Sequence, residues 1–138
     1  MCAKLLITVI AAAVVVMAMC VAAQTSIKPR YYVGFVNKTG HDLNGVSARY
    51  GNSEVAAAGR LMKAGRAIEG KLSSPIPSEA EVRWDENGTH HAVKTKLEGI
   101  VPKGFTDGTI YFILKADGAV DVKAIKLRDT EANARVVE

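Results

Sequence analysis

The three histidines are the side chains best suited to metal binding or acid–base chemistry in this 138-residue sequence. His90 and His91 are adjacent, and His41 lies far from them in the chain. Neighbouring residues on a strand point to opposite faces, so His90 and His91 cannot share one metal ion without a bulge. We favour a structural interpretation, in which His90 pairs with Asp85 outside and His91 packs on Trp84 inside. The sequence therefore predicts no metal ligand and no cofactor.

The remaining reactive groups form no catalytic pattern. No serine lies in a Gly-x-Ser-x-Gly turn, and the chain after residue 23 has no cysteine. Glu79, Glu81 and Asp85 alternate along one predicted strand, which is typical of a solvated face rather than an acid–base pair. The sequence therefore predicts a protein that is not an enzyme. A catalytic site containing His41 and Asp42 is an alternative of lower rank.

Residues 1–23 have the three-part pattern of a secretory signal peptide. Lys4 supplies the positive start, residues 5–19 are almost wholly apolar, and small residues precede Gln24. We predict cleavage after Ala23 and export to the periplasm or the extracellular space.

Two alternatives to a cleaved signal remain open. Residues 5–23 are just long enough to span a bilayer as an uncleaved anchor. Cys20 could instead carry a lipid after cleavage, which would make the protein a membrane-tethered envelope lipoprotein. In the favoured case both cysteines, Cys2 and Cys20, are removed with the signal.

Alternating apolar and polar residues from Arg30 to Leu127 predict short strands separated by turn-forming residues. This spacing is typical of a β-sandwich or barrel. We predict an all-β fold: an antiparallel β-sandwich of seven or eight strands within 24–127, followed by a flexible tail, 128–138. The predicted strands are Tyr31–Val36, Leu43–Tyr50, Ser53–Ala58, Arg66–Leu72, Glu79–Asp85, Thr89–Leu97, Thr109–Lys115 and Ala119–Leu127. A short helix over 53–64 is a weaker alternative to the third strand.

Two hairpins have registers that the sequence specifies. A two-residue turn at Asn87-Gly88 places Trp84 opposite His91 and keeps one face apolar. The last hairpin requires a three-residue loop ending in Gly118, with that glycine in a left-handed conformation. This loop aligns the apolar residues of the two strands, whereas a two-residue turn would place them opposite charged residues.

The strand order, with Trp84 on a middle strand, resembles an immunoglobulin-like or fibronectin-type sandwich over residues 30–127. The paired cysteines of antibody domains are absent. The resemblance implies an architecture and carries no functional residue. The predicted core consists of Val33, Phe35, Val46, Ile68, Leu72, Val82, Trp84, Val93, Leu97, Ile110, Phe112, Leu114, Val120 and Val122.

One apolar patch lies on the face of the sheet opposite the core. Tyr111, Ile113 and Ile125 share this face with Lys123. The structural interpretation, which we rank first, is that connections or the tail cover this face. If the face is exposed, the four residues are the predicted binding site for a protein partner. The net charge of +4 is small, which argues against nucleic acid as a partner.

These observations predict an exported, non-catalytic binding module whose ligand is a protein. The runner-up is a sandwich that binds a carbohydrate or another small ligand through its loops. Such a protein needs exposed aromatic side chains, and Phe105 and Tyr50 are the candidates.

Overall fold

The computed structural model describes residues 30–138, which form eight strands and one short helix. The strands are β1 Tyr31–Lys38, β2 Leu43–Tyr50, β3 Ser53–Leu61, β4 Arg66–Leu72, β5 Glu79–Glu86, β6 Thr89–Lys96, β7 Gly108–Lys115 and β8 Val120–Lys126. The helix is α1, Thr130–Arg135. Within residues 30–138, no helix is long and apolar enough to cross a membrane. The predicted signal peptide and its cleavage site lie outside the described residues.

The strands form two four-stranded sheets that share one core. One sheet has the order β4-β1-β7-β8 and the other the order β3-β2-β5-β6. The prediction of an all-β sandwich with seven or eight strands is therefore confirmed. All paired strands run antiparallel except β1 and β7, which run parallel at the centre of their sheet. The immunoglobulin-like part of the prediction is not confirmed, because β1 and β2 lie in different sheets, whereas the first two strands of immunoglobulin constant domains share one.

Both hairpin registers are confirmed. Trp84 pairs with His91 across β5 and β6, and Leu114 pairs with Val120 across β7 and β8. Asn87, at φ 49°, and Gly88, at φ 79°, have the left-handed conformations that a type I′ turn requires. The stretch 53–64 is a strand up to residue 61, as preferred over a helix.

The core matches most of the prediction and differs at the edge strands. Trp84, Phe35, Phe112 and Ile110 are fully buried. The predicted core residues on β6 and β8, together with Leu72, are only half-buried. Edge strands have a neighbour on one side only, which leaves their inward side chains partly open to solvent. The affected residues are Leu72, Val93, Val120 and Val122.

Ile68 was predicted in the core, and the structure corrects this. Its side chain is 45 % exposed. Ile68 and Leu72 would share a face of a regular strand, but the register of β4 against β1 shifts between them, at Gly70. Such a bulge turns all residues on one side of it to the opposite face. Leu72 pairs with the buried Tyr31, and Ile68 pairs with Gly34 on the outer face.

Candidate functional site

The adjacent histidines make the contacts predicted from their register. The Nδ1 atom of His90 lies 2.7 Å from Oδ1 of Asp85 on the exposed face. The ring of His91 stacks on Trp84, with centroids 4.7 Å apart and an interplanar angle of 5°. Both contacts predicted for this pair are therefore confirmed.

Glu86 is the residue of this region that sequence reasoning missed. Its Oε1 atom lies 2.8 Å from Nδ1 of His41, and its Oε2 atom lies 3.8 Å from Nε2 of His91. The sequence did contain a signal for this role, because Glu86 is two residues from Trp84 and therefore lies on the same face of β5. This carboxyl group links the β1–β2 connection to the β5–β6 hairpin. Within the described residues, no group of three histidine, cysteine or acidic side chains has the geometry of a metal site.

Asp42 and His41 contact different partners. Its Oδ1 atom accepts a 2.8 Å hydrogen bond from the backbone N–H of Lys63, and its Oδ2 atom lies 3.2 Å from Nη2 of Arg60. These contacts, the backbone hydrogen bond first, lower the pKa of the Asp42 carboxyl group. The group is held as an exposed carboxylate that fixes the β3–β4 turn, so the two residues of the alternative catalytic site have separate structural partners.

The predicted partner-binding residues lie on the expected face, but three of the four are buried there. Tyr111, Ile113 and Ile125 are at most 9 % exposed, because α1 and Val136 pack over them. The Tyr111 hydroxyl donates a 2.9 Å hydrogen bond to Oδ1 of Asn133. The interpretation of this patch as an exposed binding site is thus corrected: the tail, expected to be flexible, covers it, as in the interpretation ranked first. Lys123 alone of the four remains exposed.

Lys123 and Ile125 also line a groove of about 580 Å³ along the outer edge of β8. On one flank lies Ile100, which is 46 % exposed, and on the other lie residues of α1. Among the strands of residues 30–138, β8 is the last of its sheet and pairs only with β7. The apolar residues of the groove are Ile100, Val122, Ala124, Ile125, Ala132 and Val136.

The hydrogen bonds at the two ends of β8 show which of its backbone groups point into the groove. Lys115 N donates to Ala119 O, and Leu127 N donates to Asp107 O, both at 2.9 Å. In an antiparallel pair the residues bonded to the neighbour alternate with residues whose N–H and C=O point away. The odd-numbered residues of β8 are therefore bonded to β7. The N–H and C=O of Val122 and Ala124 are directed toward the free edge.

A second pocket lies at the end of the sandwich where β1 begins. It has a volume of about 400 Å³ and is formed by the loops 75–78 and 97–105. Phe105 lines it, but the ring is only 3 % exposed, with the Lys126 ammonium group 4.9 Å from its centroid. The Tyr50 hydroxyl lies 3.1 Å from that of Tyr31, and burial raises the pKa of both tyrosines. Neither Phe105 nor Tyr50 is the exposed loop aromatic that was expected.

Comparison with known proteins places this chain in no family. No family model matches it, and no curated protein matches it. Among solved structures, the chain is similar to the NMR structure of a protein from Eubacterium rectale, at 12 % identity and a TM-score of 0.47. That similarity covers 75 % of this chain and 96 % of the other.

Proposed function

We propose that this protein is an exported, non-catalytic binding module that binds a protein partner as an added strand along β8. The observation that carries the proposal is the unpaired edge of β8, which lies in a groove with apolar side chains on both flanks. Strand addition of this kind combines backbone hydrogen bonds, which give affinity, with side-chain contacts, which give specificity.

The groove suits an extended peptide because its two flanks differ. Successive side chains of an added strand point to opposite faces of the sheet. Side chains on one face of the added strand would contact Ile100 and Val122, and those on its other face would contact Ala132 and Val136. Lys123 lies between them on the outer face, and no acidic side chain of residues 30–138 is within 4 Å of its ammonium group. An acidic residue on the partner would therefore find a free cation there.

Two further observations support the non-catalytic and exported parts of the proposal. His41, His90 and His91 are all engaged with carboxyl groups or Trp84, and they serve to connect the ends of strands. The pattern of residues 1–23 supports export.

Site-specific photo-crosslinking in the native host tests strand addition. A photoreactive amino acid replaces Lys123 on the edge of β8, and in a matched control it replaces Lys94, an exposed lysine on the edge of β6. We expect position 123 to crosslink to one defined partner segment and position 94 not to do so. Val122→Pro should abolish the crosslink, because proline removes an N–H that points into the groove and leaves the bonds to β7 intact. Equal labelling from both positions, or none, would contradict the proposal.

The intact mass of the protein from its host tests export. A chain that begins at Gln24 supports a free exported module. A lipid-modified chain that begins at Cys20 supports the tethered lipoprotein alternative. An uncut chain overturns the cleaved signal.

The pocket beside Phe105 favours a second candidate function, the binding of a small apolar ligand. Its volume of about 400 Å³ lies within the usual range for such sites. Fluorescence of 1-anilinonaphthalene-8-sulfonate tests this candidate. We expect Ile76→Trp to fill the pocket and reduce the signal, and Met62→Trp, at an exposed position that lines neither this pocket nor the β8 groove, to leave it unchanged. A signal that Ile76→Trp does not reduce contradicts the candidate.

A further inference from the structure

We infer that the strand added to β8 is β8 of a second copy of this chain, which rests on the proposed binding at this edge. The two strands run antiparallel across a two-fold axis at Val122. The β4-β1-β7-β8 sheets of the two copies then join into one continuous sheet. A two-fold interface of this type needs an edge that is complementary to itself.

Of the four edge strands, β6 and β8 have the regular geometry that edge pairing requires. The β3 edge is interrupted at Gly59, where the register against β2 shifts. The β4 edge is interrupted at Gly70, where the register against β1 shifts. Bulges twist an edge and protect it from pairing. By contrast, β5 and β6 pair without a shift, and so do β7 and β8.

The backbone of β8 limits the registers that a second copy can adopt. Because the free N–H and C=O groups belong to even-numbered residues, even residues must lie opposite even residues to form hydrogen bonds. With the axis at Val122, the two Val122 residues bond to each other, and Val120 of each copy lies opposite Ala124. The Val120 carbonyl has a weak competitor, the Thr95 hydroxyl at 3.5 Å.

The same register brings opposite charges together twice. Asp121 of each copy lies directly opposite Lys123 of the other, in the closely spaced positions where cross-strand side chains interact most strongly. Lys123 has no carboxylate partner within its own described chain. Asp121 is 57 % exposed and has Lys115 at 3.4 Å. More than half of its side chain is therefore open to solvent despite the contact with Lys115.

The neighbouring registers lack this complementarity. An axis at Lys123 would place two lysines opposite each other, and an axis at Asp121 would place two acids opposite each other. β6 cannot form a complementary pair in any register, because its sequence contains His90, Lys94 and Lys96 but no acid. Lysines on an edge strand ordinarily prevent pairing. On β8, Asp121 and Lys123 are two residues apart, so an identical antiparallel strand places each of them opposite the other. The lysine on this edge therefore favours pairing with a second copy.

Sedimentation equilibrium of the exported chain, 24–138, over a range of concentrations tests the proposal. We expect a reversible monomer–dimer equilibrium. Asp121→Lys and Lys123→Asp should each weaken dimerisation by about tenfold or more, because each substitution creates two like-charge pairs across the axis. An equimolar mixture of the two variants should dimerise again, since every lysine then faces an aspartate. A general loss of folding could not produce this rescue.

Glu79→Lys and Lys94→Asp on the β5–β6 hairpin are the matched controls, and they should leave the dimer unchanged. A wild-type chain that stays monomeric overturns the inference, and so does a dimer that is indifferent to charge at 121 and 123. The crosslinking experiment at position 123 distinguishes a failure of self-pairing from a failure of the proposed strand addition. Crosslinks from position 123 to a different protein would leave strand addition intact and exclude self-pairing.

Discussion

Gly34 occupies the centre of β1, and its lack of a side chain lets the Tyr111 ring lie across the strand. The two residues are paired in the β1/β7 register. A Cβ atom at Gly34 would lie 2.5 Å from Cδ1 of Tyr111. Such a separation is far below van der Waals contact, so the ring and the helix bonded to it would have to move.

We therefore expect Gly34→Ala to destabilise the fold by about 1–3 kcal/mol, the usual cost of overpacking. Urea unfolding followed by Trp84 fluorescence measures this change. Ser53→Ala, at an exposed position, is the control and should change the free energy of unfolding by less than about 0.5 kcal/mol. Equal effects of the two substitutions would contradict the packing of Tyr111 on Gly34.

Asp42 makes stability depend on pH in a defined direction. The Lys63 N–H and Arg60 stabilise the carboxylate, so the pKa of Asp42 in the folded chain lies below its ordinary value of 3.8. The Asp42 carboxylate contributes to the free energy of unfolding above pH 3.8, and this contribution is lost as the pH falls through the folded-state pKa. The stability difference between wild type and Asp42→Asn should therefore shrink between pH 7 and pH 2. Chemical denaturation at several pH values checks this, and a constant difference would contradict it.

At the scale of elements, the C-terminal segment packs on the outer face of the sheet whose central strands are β1 and β7. Val136 is buried against Val36, Tyr111, Ile113 and Ile125. α1 is too short to be stable alone in water, so this packing must hold it in place. The segment is consequently part of the fold rather than an appendage.

A chain that ends after Arg128 should expose the apolar face beneath α1. We expect a loss of about 2–4 kcal/mol, since Val136 is removed and the apolar side chains of Tyr111, Ile113 and Ile125 that it covers are exposed to water. Binding of an apolar dye should increase. Asn133→Ala removes three side-chain hydrogen bonds, one accepted from the Tyr111 hydroxyl and two donated to the carbonyl oxygens of Lys126 and Asp129, and should cost about 1–2 kcal/mol. Thermal unfolding of the three chains compares them, and an unchanged melting temperature after truncation would show that the segment is not docked.

The elements differ in how far the sequence specifies them. The β5–β6 hairpin was predictable to the residue because the Asn87-Gly88 turn and the charge pairs are local. The bulge at Gly70, which turns Ile68 outward, was not predictable, because it depends on the pairing of β4 with the distant β1. The apolar face at Tyr111 and its covering by connections or the tail were recognised, but Val136 was not identified as the covering residue, since the tail sequence has little apolar periodicity.

For the whole molecule, the parallel β1/β7 pair is the feature that local sequence patterns could not reveal. Phe35 and Phe112 are neighbours in the sheet, with ring centroids 6.0 Å apart, yet they lie far apart in the chain. The free edge of β8, and with it the candidate binding groove, follows from the same long-range arrangement. Alternation predicted strands and their inward residues, whereas strand order requires knowledge of which strands meet.

This long-range pairing predicts slow folding. The contact between β1 and β7 closes a loop that contains most of the chain, and forming such a loop is slow. Domains of this type fold in roughly milliseconds to seconds. Refolding from urea, monitored by stopped-flow fluorescence of Trp84, should fall in this range. Phe35→Ala should accelerate unfolding or slow refolding. The change in the activation free energy of folding, divided by the change in the free energy of unfolding, indicates when the central pair forms. Refolding within microseconds would contradict the expectation.

The chain enters and leaves the sandwich at the same end. Arg30 O accepts a hydrogen bond from Asp107 N, and Asp107 O accepts one from Leu127 N, so a single strand separates entry from exit. The pocket beside Phe105 is at this end, and the β5–β6 turn with its histidines is at the other. If the N-terminal side tethers the protein to a membrane, the pocket end faces the bilayer, and the histidine end stands about 25 Å farther out. The β8 edge would then run along the membrane normal, so that two copies anchored in one leaflet would present these edges pointing in the same direction. Antiparallel pairing would require one copy to turn over, which places its entry point about 25 Å farther from the bilayer than that of the other copy.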